Sequence, residues 1–349
     1  KIQTFKTMKV LIIQTAFLGD VILSLPLVQV LKEKKPDCSI DFMCIPKTSE
    51  ILKGNPYINK VIIFDKHESA KGLSGFRNLV SEVKNNKYDV VISVQRYTRS
   101  SIISKLSGAE KRISYDNSSL PYLYTDKVLY SQKHEIERVL DLLKPLGIDI
   151  SVIVKPELFP SEDDKREVAK IFNGLGIKNK SDLICIAPGS VWFTKRFPEE
   201  KFIELLNMMD KNDFKIALIG GRDDMKLCER IINKTTNNEV YSFAGKLSIL
   251  QSAELIKNSS LLITNDSAPL HIANAVGTKV IAVFGSTTKD FGFYPIGVND
   301  KIFEVNGLKC RPCSNHGKKS CPIHTFDCMN NIKVQDICKE IQVSKSSSY

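Results

Sequence analysis

The stretch 260–285, SLLITNDSAPLHIANAVGTKVIAVFG, constrains the fold of this chain more than any other. Two short apolar runs flank a segment with helical spacing, and the first run ends abruptly in Asn265-Asp266-Ser267-Ala268-Pro269. Two buried strands joined through a helix run parallel, because only antiparallel neighbours can be closed by a tight hairpin. Open parallel sheets bind ligands outside the carboxyl ends of their strands, and this polar loop lies at such an end. Pro269 marks the helix entry, where proline is favoured, and amides at a helix entry suit a phosphate. Asp266 and His271 flank the same place, so one loop can read both an anion and sugar hydroxyls.

The same alternation continues through the rest of the chain. Runs at 8–14, 39–45, 61–64 and 89–94 read as strands, and 20–34, 76–85, 100–106 and 135–146 carry helical spacing. The pattern breaks at 147–160, where Pro156 and Pro160 mark a linker. A helix follows from Ser161 to about Gly174. Strands at 183–187 and 215–219 and helices at 198–209, 224–233 and 249–257 then lead into 260–285. Residues 334–341 read as a terminal helix, 344–349 as a frayed end and 1–7 as a ragged extension. A length of 349 residues suits two domains. The expected fold is α/β, with two Rossmann-like domains whose parallel sheets face an interdomain cleft. No secretory leader pattern opens the chain, and no apolar run approaches the roughly 18 residues that span a bilayer.

A formal net charge of +11 suits nucleic acid, an anionic membrane surface or a phosphorylated substrate. The lysines are scattered, with no dense basic block interleaved with aromatics, so no nucleic-acid partner is expected. A solvated lysine-rich surface or a peripheral contact with anionic head groups accounts for the charge. Cys38, Cys44, Cys185, Cys228 and Cys338 lie in apolar or helical patterns and read as buried thiols in a cytoplasmic chain. Cys310, Cys313, Cys321 and Cys328 form a separate cluster, C-x2-C-x7-C-x6-C, with His316 and His324 nearby. Four sulfurs close in sequence suit a structural zinc, though the spacing is not one of the usual knuckle patterns; a pair of disulfides or free thiols fit equally, and a catalytic metal is not expected.

Four segments fall at strand carboxyl ends. In Gly19-Asp20 the carboxylate is either a helix cap or a general base for a sugar hydroxyl. In the stretch 187–198, APGSVWFTKRFP, Ser190 and Thr194 offer hydroxyls while Lys195 and Arg196 offer cations, a set suited to a departing diphosphate. Gly220-Gly221-Arg222-Asp223-Asp224 allows close backbone approach and an acid for ribose hydroxyls, but lacks the G-x-G-x-x-G spacing of a nicotinamide site. The fourth is the opening loop.

Together IIQTAFLGDVILSLPL, APGSVWFTKRFP and NDSAPLHIANAVGTKVIAVFG resemble the bacterial lipopolysaccharide heptosyltransferases, nearest the heptosyltransferase II type, over residues 8 to about 330. The resemblance implies a GT-B fold. It further implies inverting transfer of L-glycero-D-manno-heptose from ADP-heptose to a Kdo or heptose of the lipid A inner core, with no cofactor or metal required. By the same resemblance Asp20 matches the catalytic base and Lys195 the phosphate-contacting lysine. Asp266, Ser267, Ala268 and His271 match the donor-sugar segment, and Ser190 and Thr194 line the diphosphate. Ala268 stands where the family usually has Gly, and Phe193 where many members have Pro. The implied domains are 8–150 for the acceptor, 151–182 as linker and entry helix, 183–330 for the nucleotide sugar, and 331–349 as terminal helix and tail. Arg96, Arg99, Lys111 and Arg112 are candidates for anionic groups of the acceptor. The implied partners are an ADP-sugar donor, a lipid A-core acceptor and a peripheral contact at the cytoplasmic face of the inner membrane. Alternatives are a transferase for another nucleotide sugar, used in capsule or O-antigen assembly, and a non-catalytic nucleotide-sugar-binding protein.

Overall fold

The computed structural model describes residues 7–65, 68, 71–209 and 213–346. Residues 1–6 of the extension expected at 1–7 and the last three residues of the expected frayed end lie outside them. The chain divides into two compact units, Lys1–Phe159 and Pro160–Tyr349.

The first unit runs β1 (Lys9–Ile13), α1 (Leu18–Lys34), β2 (Ser39–Cys44), β3 (Lys60–Ile63), α2 (Gly72–Asn85) and β4 (Val90–Ser93). It continues with α3 (Thr98–Leu106), β5 (Lys111–Tyr115), β6 (Asp126–Val128) and α4 (Glu135–Asp141). All neighbouring strands pair in parallel, in the order β3-β2-β1-β4-β5-β6. This is the doubly wound order, and the winding reverses between β1 and β4. Val10 to Ile13 and Val90 to Ile92 are almost fully buried, as central strands covered by helices on both faces require.

The second unit opens with α5 (Glu162–Leu175), then β7 (Leu183–Ala187), α6 (Glu199–Met208), β8 (Lys215–Leu218), α7 (Met225–Lys234) and β9 (Val240–Ser242). There follow α8 (Ile249–Lys257), β10 (Leu261–Asn265), α9 (Ala268–Val276), β11 (Lys279–Phe284), β12 (Lys301–Glu304), α10 (Asp327–Asn330) and α11 (Val334–Ser346). Its parallel sheet is ordered β12-β11-β10-β7-β8-β9. Counted from the unit's own first strand, this repeats the order of the first sheet, with the reversal between β7 and β10. Ile184, Ile186, Ile263, Ile281 and Val283 from the centre of this sheet join α6 and α11 in one apolar core.

The α/β alternation expected from the sequence is present in both units, with local differences. The helix expected over 135–146 stops at Asp141 and gives way to a 3-10 turn, Lys144–Leu146. Pro145 has no N–H for the Asp141 carbonyl, and its ring crowds that carbonyl. Helix α1 starts at Leu18, so Phe17 is its cap and Asp20 lies in the first turn, where a negative charge complements the helix dipole. Strands β5, β6, β9 and β12 carry no signal read from the sequence. The last three are sheet edges of three or four residues, too short to display a period of two.

Candidate active site

Of the four polar segments named from the sequence, 187–198 and 265–269 follow β7 and β10, where the second sheet reverses, Gly19-Asp20 follows β1, where the first sheet reverses, and 220–224 follows the neighbouring strand β8. An open α/β sheet leaves a crevice where its winding reverses, because helices on the two sides lead away from it.

In the second unit the loops after β7 and β10 are tied together by Asn265, whose side chain is fully buried. The Phe197 amide donates to Asn265 Oδ1 (2.8 Å), and Asn265 Nδ2 donates to the carbonyls of Pro188 (2.9 Å) and Gly189 (3.2 Å). Arg196 Nε closes the loop further by donating to the Ser190 carbonyl (2.6 Å). Gly189 leaves room for Asp224: a Cβ on it would stand 2.0 Å from the Asp224 carboxylate, which would have to shift. Asp224 in turn accepts from the Gly221 amide (2.9 Å). Burial pushes its carboxyl up, although the Gly221 bond and the nearby Arg196 charge act the other way.

A 3-10 turn, Phe193–Lys195, brings Lys195 to Asp266, with Nζ 2.6 Å from Oδ2 and the two side chains 15% and 6% exposed. Thr287 Oγ1, from the loop after β11, donates to the same Oδ2 (2.6 Å). An ammonium has three donors, so Lys195 can hold Asp266 and still meet an oxyanion. Ser267 caps α9 through its backbone, and Ala268 and Pro269 occupy the first two helical positions. His271 is buried one turn on, edge to face with Phe293. Ser190 is half-buried in the same loop. Thr194 is buried, and its hydroxyl exchanges hydrogen bonds with the Lys318 backbone instead of facing open space (2.8 and 3.3 Å).

The cysteine cluster lies directly behind this loop. All nine cysteines are free thiols, and the five expected to be buried are so. Cys310, Cys313, Cys321 and Cys328 line one cavity of about 40 Å³ together with Thr194 and Ser286. Burial raises the Cys313 thiol, and it raises Cys328 to about 11, with neighbouring cysteines of the cluster adding to both. Burial also acts to raise Cys321, but hydrogen bonds from the Ile323, Phe326, His324 and Thr325 amides outweigh it and leave that thiol below its ordinary value.

In the first unit Asp20 is partly exposed in the first turn of α1, after β1. Arg96, after β4, places its guanidinium over the Tyr130 ring at 4.2 Å, and Arg138 lies 4.9 Å from the same ring centre. Arg138 pairs with Glu135 (2.6 Å), both nearly fully buried. Burial pushes the Glu135 carboxyl up against the pull of Arg138, and the Asp20 charge adds to the rise. The same Asp20 charge reaches Tyr130, whose hydroxyl is raised chiefly by burial. Arg99 is exposed on α3. Arg112 instead donates to the Leu123 (3.0 Å) and Ala109 (2.6 Å) carbonyls, and Lys111 to that of Pro145, so both tie backbone together.

The structure therefore gathers Lys195, Asp266, Ser267 and Ala268 at one switch point, and it places Asp20 and Arg96 in one electrostatic neighbourhood at the other. Thr287, Tyr130 and Arg138 were not read from the sequence. A lone threonine, tyrosine or arginine carries no local signal of its own, even where, as with Thr287, it follows a strand end. No helix of the described residues is long and apolar enough to cross a membrane.

Comparison with known proteins bears on the family and the fold. Residues 76–324 match Glycosyltransferase family 9 (heptosyltransferase). Lipopolysaccharide heptosyltransferase 3 of Escherichia coli is 28% identical over 285 residues, covering 79% of this chain and 83% of the relative. Among solved structures, a family 9 glycosyltransferase from Veillonella parvula superposes with a TM-score of 0.86 at 20% identity, covering 97% of this chain and 98% of its own. E. coli ADP-heptose LPS heptosyltransferase II gives 0.80 at 20% identity, covering 98% and 99%.

Proposed function

Since the chain belongs to glycosyltransferase family 9, the heptosyltransferases, and is thus a glycosyltransferase, we propose that it transfers L-glycero-D-manno-heptose from ADP-heptose to a Kdo or heptose of the lipopolysaccharide inner core. The observation that carries the reading is the buried Lys195–Asp266 pair beside the entry of α9, at the point where the second sheet reverses.

In this reading the acceptor hydroxyl attacks the anomeric carbon and gives its proton to Asp20. The bond from that carbon to the ADP oxygen breaks with inversion, and ADP leaves. Negative charge grows on the diphosphate as it departs. The Lys195 ammonium and the amides around Ser267 and Ala268 meet that charge with donors fixed beforehand, so little reorganisation opposes the step. Asp266 orients Lys195 and, with His271, faces the donor sugar; Ser190 borders the diphosphate and Asp224 takes the ribose hydroxyls. Thr194 serves the diphosphate through its place in the turn that carries Lys195. Arg96 and Arg99 meet anionic groups of the acceptor, and the net charge of +11 favours a peripheral contact with the anionic cytoplasmic face of the inner membrane.

The test is a donor and acceptor panel with the purified chain, reading released ADP and product mass. Heptose transfer to a Kdo- or heptose-terminated lipid acceptor is expected. Asp20→Asn should lower it by about 10²–10⁴-fold while ADP still binds. Transfer by Asp20→Asn at the wild-type rate removes the base assignment. Turnover of a UDP or GDP sugar, with ADP-heptose inert, removes the donor assignment.

A further inference from the structure

Outside the groups assigned to transfer, the described residues hold one concentration of soft donors, and its position in the fold is informative. Cys310, Cys313, Cys321 and Cys328 come from 19 residues of one excursion after β12, yet all four border the same cavity of about 40 Å³. That volume exceeds what a single small occupant needs. Four cysteines bordering one void are poor packing if they stay apart, because a void forfeits the contacts its lining would otherwise make. They form no disulfide in the structure. As they stand, no three or more His, Cys, Asp or Glu side chains among the described residues are placed to hold a metal ion, so an occupant would have to draw the sulfurs together across that space.

The excursion also holds both groups that grip Asp266. On one side the Thr194 amide donates to the Lys318 carbonyl (3.1 Å) and the Lys318 amide to Thr194 Oγ1 (2.8 Å), which fixes the turn carrying Lys195. Gly317, at a φ of +95°, lets that backbone lie against Trp192 and Lys195; a Cβ there would stand 2.6 Å from Trp192 Cβ. On the other side Arg311 donates to the Gly285 and Thr287 carbonyls (both 2.7 Å), and the Cys313 amide donates to the Ser286 carbonyl (3.2 Å). The Thr287 hydroxyl and the Lys195 ammonium are thus both set by the loop that presents the four sulfurs.

We propose that Cys310, Cys313, Cys321 and Cys328 bind one thiophilic divalent cation, zinc or ferrous iron, and that the closed loop braces Lys195 and Thr287 around Asp266. Thiolate sulfur selects such ions over magnesium or calcium, and a site of four protein ligands is structural, with no position left for substrate. The metal half stands without the transfer reading; the effect on ADP rests on it.

The full chain, purified anaerobically under reducing conditions, is assayed for bound metal, then stripped by a chelator and titrated separately with Zn²⁺, Fe²⁺ and Co²⁺. One equivalent per chain is expected, with the absorption of a tetrathiolate for Co²⁺, four thiols shielded from a thiol reagent, and loss of binding in Cys321→Ser and Cys328→Ser. Whichever of Zn²⁺ and Fe²⁺ survives purification identifies the resident ion. The chain's single tryptophan, Trp192, should change its fluorescence on loading, and ADP should bind about tenfold more weakly to the stripped protein. No metal retained or taken up by the wild type, with all four thiols reactive, overturns the site, as does the same stoichiometry in both serine variants. Stoichiometric metal with unchanged Trp192 fluorescence overturns the brace. Failure of ADP-heptose as donor alongside a bound metal would count against the transfer reading alone.

Discussion

Asp266 is held from two loops at once, by Lys195 and by Thr287, and both contacts are 2.6 Å. A carboxylate this buried is costly unless its charge is compensated, and removing one partner strands the other. Lys195→Ala is therefore expected to destabilise the second unit by about 3–5 kcal/mol as well as to weaken donor binding, so it is a poor separator of roles. Thr287→Val is the sharper probe, since it deletes one hydroxyl at nearly constant volume. The expected outcome is a rise in donor KM of about 3–10-fold with kcat little changed, restored by Thr287→Ser. Unaltered KM in steady-state kinetics of Thr287→Val would show that the hydroxyl does not position Asp266. The sequence pointed to Asp266 because it closes a buried strand with a burst of polar residues. It was silent on Thr287, which lies 21 residues away and reaches the site only through the β10–β11 pairing.

At the level of elements, the second-unit site depends on two loops behaving as one. Asn265 looks in sequence like the first residue of a ligand-binding run, yet its whole side chain is used to join the β10 end to the 188–197 loop. Asn265→Ala should leave the Phe197 amide and two carbonyls without that partner and cost about 2–4 kcal/mol in denaturant unfolding. Asn265→Asp keeps the acceptor for Phe197 but presents a carboxylate to two carbonyls, and should not rescue. Wild-type stability in Asn265→Ala would mean the loop is held by other bonds. Long buried strands and helices were legible because their periodicity repeats. The edge strands β6, β9 and β12, at three or four residues each, were not, since none is an unbroken apolar run like the one at 61–64 that marked the equally short edge strand β3. Pro145 shortening α4 was legible in principle, as a proline ends the turn four residues before it.

Over the whole molecule, each unit carries a carboxylate braced by two more exposed cations: buried Asp141 with Lys133 and Lys144, and partly buried Glu199 with Arg230 and Lys234. Burial opposes ionisation at both, but the paired cations win and lower the Asp141 and Glu199 carboxyls below their ordinary values of 3.8 and 4.5. A depressed carboxyl contributes stability above its unfolded value, and that contribution fades as pH falls through the folded one. Asp141→Asn and Glu199→Gln should each lower the melting temperature at pH 7 by about 2–4 °C, for pairs worth roughly 1 kcal/mol after solvent screening. The gap from wild type should shrink by pH 3; an equal gap at both pH values would sink the assignment. The sequence alone determined the α/β class, the repeated strand–helix alternation and the loops at which chemistry would gather, because period, proline and abrupt polarity are local properties of a chain. Only tertiary structure decided that both sheets reverse at those loops and that Thr194 faces Lys318. It likewise brought Arg138 and Tyr130 into the neighbourhood of Asp20 and set four cysteines around one cavity behind Lys195. Those outcomes depend on which distant segments a packed sheet brings within a few ångströms, and no local pattern encodes that distance.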